Sequence, residues 1–155
     1  MQNKFVKIII ASLLIITAIW QFTDKGIGNG IFLLLLAFIK LRKQDFAGAQ
    51  KWLGKIKNPE KALVKNQQGY FEYLHGLMLS QTNIIQAEKH FKKALTLGLK
   101  TDTDIAIAKL NLAGVAMSRR RKLEATNLLA EAKKLDKQGM LKEQIKMMKE
   151  QMKKI

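Results

Sequence analysis

Cysteine is absent from this chain of 155 residues, and proline occurs once. The absence of cysteine excludes disulfides, thiol nucleophiles, iron–sulfur clusters and zinc sites built on thiolates. The sequence also contains no GxSxG motif and no glycine-rich phosphate loop after a strand. The two histidines, His75 and His90, belong to no HExxH motif, and a pair of imidazoles alone lacks the ligands of a metal site. We therefore expect neither enzyme activity nor a metal or other cofactor.

Acidic residues are scarce relative to basic ones, and the chain has a net charge of +16. Residues 40–155 hold 25 of the 28 Lys and Arg and 11 of the 12 Asp and Glu. A surface this basic attracts acidic proteins, anionic lipid or nucleic acid. The lysines recur at helical spacing and aromatic residues make up only 7% of the chain, which argues against nucleic-acid binding.

Two apolar runs lie at the N-terminus. In the first, Ile8 to Trp20, only Ser12 and Thr17 interrupt the apolar residues. Extended to residues 5–23 it would form a helix about 28 Å long, close to the thickness of a bilayer core. This run ends without a small-residue cleavage site, so it does not resemble a cleaved signal peptide.

The second run, residues 31–39, follows a glycine-rich turn. As a helix over 27–41 it would rise about 22 Å, which is short for a bilayer. Two interpretations compete: a second transmembrane helix, or a buried helix of the domain that follows. We favour the first, because a helix that is apolar on every face must be surrounded on every face. Residues 1–43 are then a membrane anchor formed by a helical hairpin.

Basic residues flank this hairpin on its outer sides. Lys4 and Lys7 precede the first run, whereas Lys40, Arg42 and Lys43 follow the second. The positive-inside rule then places both ends of the hairpin in the cytoplasm. We expect a protein of the cytoplasmic (plasma) membrane whose C-terminal domain faces the cytoplasm.

An internal repeat of 38 residues covers the rest of the chain. Alanine recurs at one position of the repeat, a bulky apolar residue four positions later, an apolar residue three positions after that, and leucine thirteen positions before the alanine: Ala49, Ala87, Ala125; Leu53, Phe91, Leu129; Ile56, Ala94, Ala132; and Leu36, Leu74, Leu112. A period of this length indicates stacked supersecondary units that share one core. The units are 30–67, 68–105 and 106–143, so the first overlaps the second apolar run.

Each unit is predicted to contain two helices. In the middle unit these are Tyr70–Ser80 and Ile84–Leu97, whose apolar residues recur every three or four positions. In the last unit they are Ala106–Ser118 and Leu123–Leu135, and the TDTD sequence at 101–104 offers N-cap oxygens. A further amphipathic, methionine-rich helix over 140–155 would cap the array. The alternative is that it lies on a membrane or docks to a partner.

The second helix of the middle unit resembles that of the tetratricopeptide repeat (TPR) family. Ala87, Phe91 and Ala94 match the small, large and small packing positions of that family, and Leu74 and Gly76 are similar to the Leu-Gly of its first helix. The period departs from the usual value of about 34 residues. The expected fold is all-α: two N-terminal transmembrane helices, a short TPR-like solenoid over 44–143, and a capping helix that ends in 144–155.

The resemblance implies a stack of helix pairs whose concave face, lined by first helices, binds a peptide or protein segment. It supplies no catalytic residues. On this basis the partner-binding residues would be Glu72, Tyr73, Leu79, Leu110, Asn111 and Met117. The competing interpretation is that these side chains only pack against neighbouring helices.

The densest charge cluster is Arg119, Arg120, Arg121 and Lys122. It is either a solvated turn or a contact for anionic lipid or an acidic partner. The sequence as a whole predicts a membrane-anchored, non-catalytic scaffold for an unidentified protein partner. The alternatives are a basic peripheral protein that binds anionic lipid or nucleic acid, and an accessory subunit of a larger membrane complex.

Overall fold

The computed structural model of the protein describes residues 27–154, and within them the fold is all-α, as expected. The eight helices of this part are α1 (Ile27–Arg42), α2 (Phe46–Leu53), α3 (Pro59–Ala62), α4 (Lys65–Leu79), α5 (Ile84–Leu97), α6 (Asp102–Ser118), α7 (Lys122–Leu135) and α8 (Lys142–Met152). The bounds of α5 are those predicted from its apolar spacing, and Thr101 caps α6 by accepting the Asp104 N–H.

The helices form three pairs that repeat along the chain. α1 packs on α2, α4 on α5, and α6 on α7, and the second helices of the pairs begin at residues 46, 84 and 122, which are 38 residues apart. Successive pairs stack, because α1 and α2 contact α4 and α5 contacts α6. α8 packs against α7 and α6 and closes the C-terminal end.

The turn between the two helices of a pair also follows the repeat. Gln44 and Arg120 occupy the same repeat position and both adopt the left-handed backbone conformation, with φ of 59° and 58°. At the next position Asp45 and Asn83 cap α2 and α5 through their side chains, whereas Arg121 has no oxygen with which to cap α7. In the third unit this repeat position therefore does not supply a side-chain cap.

The recurring alanines and bulky residues form the centre of the core. Ala49, Ala87 and Ala125 are fully buried, and the largest fully buried side chains are the bulky residues four positions later, Leu53, Phe91 and Leu129. The first helix comes close to this row: a Cβ added at Gly76 would lie 2.7 Å from the Phe91 ring. Glycine is required there because α4 and α5 approach each other over the ring.

The predicted pair of transmembrane helices is wrong where the structure can test it. Within residues 27–154, none of the helices is long and apolar enough to cross a bilayer. The predicted second span, 27–41, is α1, which has 16 residues and buries Leu34 and Ala37 in one core with Leu53 and Leu74. The buried apolar residues of α1 therefore pack against α2 and α4. The predicted first span, 5–23, lies outside the described residues.

We predict that Phe91→Ala lowers the free energy of unfolding by about 3–5 kcal/mol, because it removes a fully buried ring and leaves a cavity. Chemical denaturation monitored by circular dichroism measures this change. The matched control is Ile85→Ala, which truncates an exposed residue of the same helix and should change stability by less than about 0.5 kcal/mol. Equal effects of the two substitutions would contradict the packing described here.

Candidate functional site

A groove runs along the first helices of the second and third pairs. Its floor comes from α4, α5 and α6, its far wall from α8, and its volume is about 620 Å³. The side chains that line it are mainly apolar or amide: Tyr73, Leu77, Ile84, Phe91, Ile107, Leu110, Asn111, Val115, Gln144, Met147, Met148 and Gln151, with Gly114, Ser80 and Ser118 between them. We call it the C-terminal groove.

Two polar side chains meet on the floor of this groove. The Asn111 amide donates a hydrogen bond to the Tyr73 hydroxyl at 3.2 Å and a second one to the Ile107 carbonyl at 2.9 Å. Burial raises the pKa of Tyr73 to about 12, so its hydroxyl stays protonated at neutral pH. The pair offers a bound chain a fixed hydroxyl donor and an amide oxygen, but no ionised group.

A second groove of about 660 Å³ lies between α1, α4 and the start of α6. Ile31, Leu35 and Phe38 of α1 line one side, and we call it the N-terminal groove. Tyr73 borders both grooves. Leu35, Tyr73 and Asn111 are 38 residues apart, so the two grooves follow one stripe of the repeat.

The structure brings some of the predicted partner-binding residues together. Tyr73, Leu110 and Asn111 line the C-terminal groove. Met117 lies in an adjoining depression beside Gly114 and Met148. Leu79 packs against the cluster formed around Phe91. Glu72 does not line either groove and instead faces α5.

Glu72 is a buried carboxylate held by α5. Its Oε2 lies 2.6 Å from His90 Nδ1, and its Oε1 lies 2.7 Å from Lys93 Nζ. Burial works to raise the pKa of Glu72, but the hydrogen bonds from Lys93 and His90 outweigh it and leave the pKa below its ordinary value. Both oxygens of the Glu72 carboxylate are thus bonded to side chains of the same helix pair.

The two histidines come together beside this carboxylate. The rings of His75 and His90 stack with centroids 5.4 Å apart. Burial, and to a smaller extent the neighbouring His90, lowers the pKa of His75. Within residues 27–154 no group of three or more His, Cys, Asp or Glu side chains is placed to hold a metal ion. The pair packs α4 on α5.

Two of the four residues in the predicted anionic-contact cluster, Arg119 and Arg121, bond to a second buried carboxylate, that of Glu88. Glu88 accepts hydrogen bonds from Arg119 Nη1 at 2.5 Å, from Arg121 Nη1 and Nη2 at 2.9 and 2.7 Å, and from Lys92 Nζ at 2.6 Å. These bonds, with that of Arg121 the strongest, lower the pKa of Glu88 to about 2. Arg119 and Arg121 therefore join the third helix pair to the second.

The other two members of that cluster have different positions. Arg120 and Lys122 are exposed, and Arg120 occupies the left-handed turn position. Only these two cations of the four therefore face solvent without serving the Glu88 link. The number of cations at this turn that are free to contact lipid or nucleic acid is therefore smaller than the run of four suggests.

Several groove residues were not singled out from the sequence. Leu35 shares a repeat position with Tyr73 and Asn111, and the 38-residue spacing could have identified it. Met147 was not singled out, and Met148 was placed in a methionine-rich helix that either caps the array or docks to a membrane or partner; both residues form the groove wall. The amphipathic pattern of α8 shows one apolar face, but it does not show which residues of that face pack in the core and which line the open groove.

Comparison with known protein families, with curated proteins and with solved structures gives no match for this chain.

We predict that Glu88→Gln lowers the free energy of unfolding by about 2 kcal/mol at pH 7, because two arginines lose their carboxylate partner. The arginines are partly exposed, so solvent screens the link and keeps the loss below that of a fully buried pair. Urea denaturation of both proteins measures the difference.

The pH dependence of this difference follows from the lowered pKa of Glu88. Its stabilisation is complete above the ordinary pKa of 4.5 and is lost as the pH falls towards the folded-state value of about 2. The stability curves of wild type and Glu88→Gln should therefore converge over that interval. Glu150→Gln, which removes an exposed pair with Lys153, is the control and should cost less than about 0.5 kcal/mol. Parallel curves would show that the link does not stabilise the fold.

Proposed function

We propose that this protein is a non-catalytic, TPR-like interaction module that holds a segment of a partner protein in the C-terminal groove. The observation that carries the proposal is an open, mainly apolar groove along the first helices with an amide and a hydroxyl fixed on its floor. This arrangement suits a chain that buries apolar side chains and uses a few hydrogen bonds for register.

The far wall of the groove supports the same proposal. Met147 on α8 is 57% exposed although it lines the groove, and Met148 beside it is partly buried. Flexible, polarisable methionine side chains are common on protein surfaces that adapt to a partner. An apolar residue of a bound segment would cover Met147 and gain the free energy of that burial.

Charge adds a second property of the partner. The C-terminal groove has no charged side chain in its lining, and Lys142, Lys146 and Lys149 of α8 line a separate depression. Residues 40–155 as a whole are nevertheless strongly basic. A segment with apolar side chains would match the groove, and acidic flanks would match the charge of the whole domain. We propose an amphipathic, acidic protein segment as the ligand.

We predict that Met147→Gln weakens partner binding by about tenfold, because the loss of one buried apolar contact is worth roughly 1.4 kcal/mol. A photo-crosslinking amino acid at position 147 first identifies the partner in cells, and calorimetry with the purified partner segment then measures the affinity. The substitution is neutral and lies on an exposed residue, so the fold and the net charge are retained.

Met140→Gln is the matched control, because Met140 is 64% exposed but lies outside the groove. It should change the affinity by less than about twofold, and a crosslinker at 140 should not capture the same partner. Equal effects at 147 and 140 would contradict the groove as the binding site. Binding that collapses between about 50 and 200 mM salt and is unchanged by Met147→Gln would instead favour charge-driven contact with nucleic acid or anionic lipid.

A further inference from the structure

A depression of about 380 Å³ lies between the end of α7 and one side of α8. Lys133 from the last turn of α7 lines it, together with Lys142, Lys146 and Lys149 of α8. Residues three or four positions apart lie on one side of a helix, so the three lysines of α8 form a row. We call this site the lysine depression.

The lysine depression is separate from the C-terminal groove. The groove is lined by Gln144, Met147, Met148 and Gln151 of α8, and the two sites share no lining residue. α8 therefore presents an apolar and amide side to the groove and a basic side to the depression.

The four lysines have no ion-pair partner in the described part of the chain. All four are exposed, and within residues 27–154 none of them pairs with an Asp or Glu side chain. Two other lysines of this region are paired, Lys137 with Asp102 and Lys153 with Glu150. An anion in the depression would thus contact ammonium groups without first breaking an ion pair of the fold.

Two carboxylates also line the depression, and both are bonded to other groups. Asp136 accepts hydrogen bonds from the Met140 and Leu141 backbone N–H groups at 2.9 and 2.8 Å. Glu150 accepts two from Lys153 Nζ at 2.9 and 3.0 Å. Because four lysines stand against two carboxylates, the lining keeps a net positive charge.

The composition of the lining indicates which kind of anion fits. A lysine ammonium recognises phosphate as a compact point charge, whereas arginine is favoured for bidentate recognition of a carboxylate, and no arginine lines the depression. No aromatic side chain lines it either, so a nucleobase would have no surface on which to stack. The volume is in the range of small-molecule sites.

We propose that the lysine depression binds a compact ligand that carries several phosphate groups and no base, of the inositol phosphate class. Lys133 from α7 and the row of lysines from α8 would contact the phosphates from two sides. The chemistry is the same for a free inositol phosphate and for a lipid headgroup. This site is additional to the C-terminal groove and does not depend on the partner proposed for it.

Inositol trisphosphate is the soluble probe, and isothermal titration calorimetry on the full chain measures its affinity. The double substitution Lys146→Gln with Lys149→Gln should weaken binding by at least about tenfold, because it removes two cations that face the phosphates. Glutamine is as good a helix former as lysine, and both positions are exposed, so the variant should melt at the wild-type temperature.

The matched control is Lys51→Gln with Lys89→Gln. These two lysines are exposed, lie outside the depression and form no ion pair within residues 27–154, so the same charge is removed elsewhere. The control should weaken binding by less than about threefold, because solvent and salt screen distant charges. Equal weakening by the two double variants would show that only the overall charge attracts the probe, and would overturn the proposal.

Vesicles of phosphatidylcholine, with and without phosphatidylinositol bisphosphate, distinguish the two sources of the ligand. Sedimentation that requires both the phosphoinositide and the Lys146 and Lys149 pair would support a lipid headgroup. Binding of inositol trisphosphate without phosphoinositide-dependent sedimentation would support a free phosphate compound. Failure of the wild type to bind either probe would overturn the proposal.

Two further polyanions test the assignment to phosphate. A glutamate-rich peptide that binds as tightly as inositol trisphosphate would overturn it, as would a single-stranded oligonucleotide that binds more tightly with the same dependence on Lys146 and Lys149. Met147→Gln should leave the binding of inositol trisphosphate unchanged, because Met147 lines the groove and not the depression. A loss of binding in that variant would also count against a separate site.

Discussion

The whole arrangement depends on the close approach of two helices over one bulky side chain in each pair. Leu53, Phe91 and Leu129 fill this position, and the alanines four residues earlier let the first helices come near. In the second pair the approach is so close that Gly76 replaces a side chain above the Phe91 ring. Because the spacing of these contacts sets the spacing of the pairs, it also determines where the first helices form a groove.

Between pairs, apolar packing is supplemented by a charged link with a defined geometry. Arg121 stands where the other pairs have a capping Asp45 or Asn83, so α7 lacks a side-chain cap. The arginine instead reaches Glu88 in the preceding pair. A missing cap costs about 1 kcal/mol, and a buried carboxylate is stable only with its partners in place. The Arg121–Glu88 pair therefore stabilises one relative position of the two helix pairs, and other positions would leave the Glu88 carboxylate without its partners.

The repeat made the helix pairs and the alanine positions predictable, although α4 and α6 begin at Lys65 and Asp102 and not at Tyr70 and Ala106. The TDTD sequence made the Thr101 cap predictable, because a cap depends on residues close in sequence. The sequence does not show which residues become tertiary partners. The predicted second membrane span was wrong for this reason, and the pairing of Arg119 and Arg121 with Glu88 was not foreseen. The apolar composition of α1 resembles that of a membrane helix, but composition does not show that Leu34 and Ala37 face Leu53 and Leu74. Likewise, a run of arginines indicates a solvated cluster until Glu88, more than 30 residues away, is placed beside it.

The stripe shared by the two grooves changes its chemistry along the stack. At one repeat position it presents Leu35, then Tyr73, then Asn111, so this position is apolar on α1, amphipathic on α4 and polar on α6. A symmetric array would bind a segment in either direction with similar energy. If a partner segment lies along this stripe, as proposed, its hydrogen-bonding groups are matched only beside Tyr73 and Asn111. The differences between the three units would then favour one direction of the segment, which an exact repeat would not do.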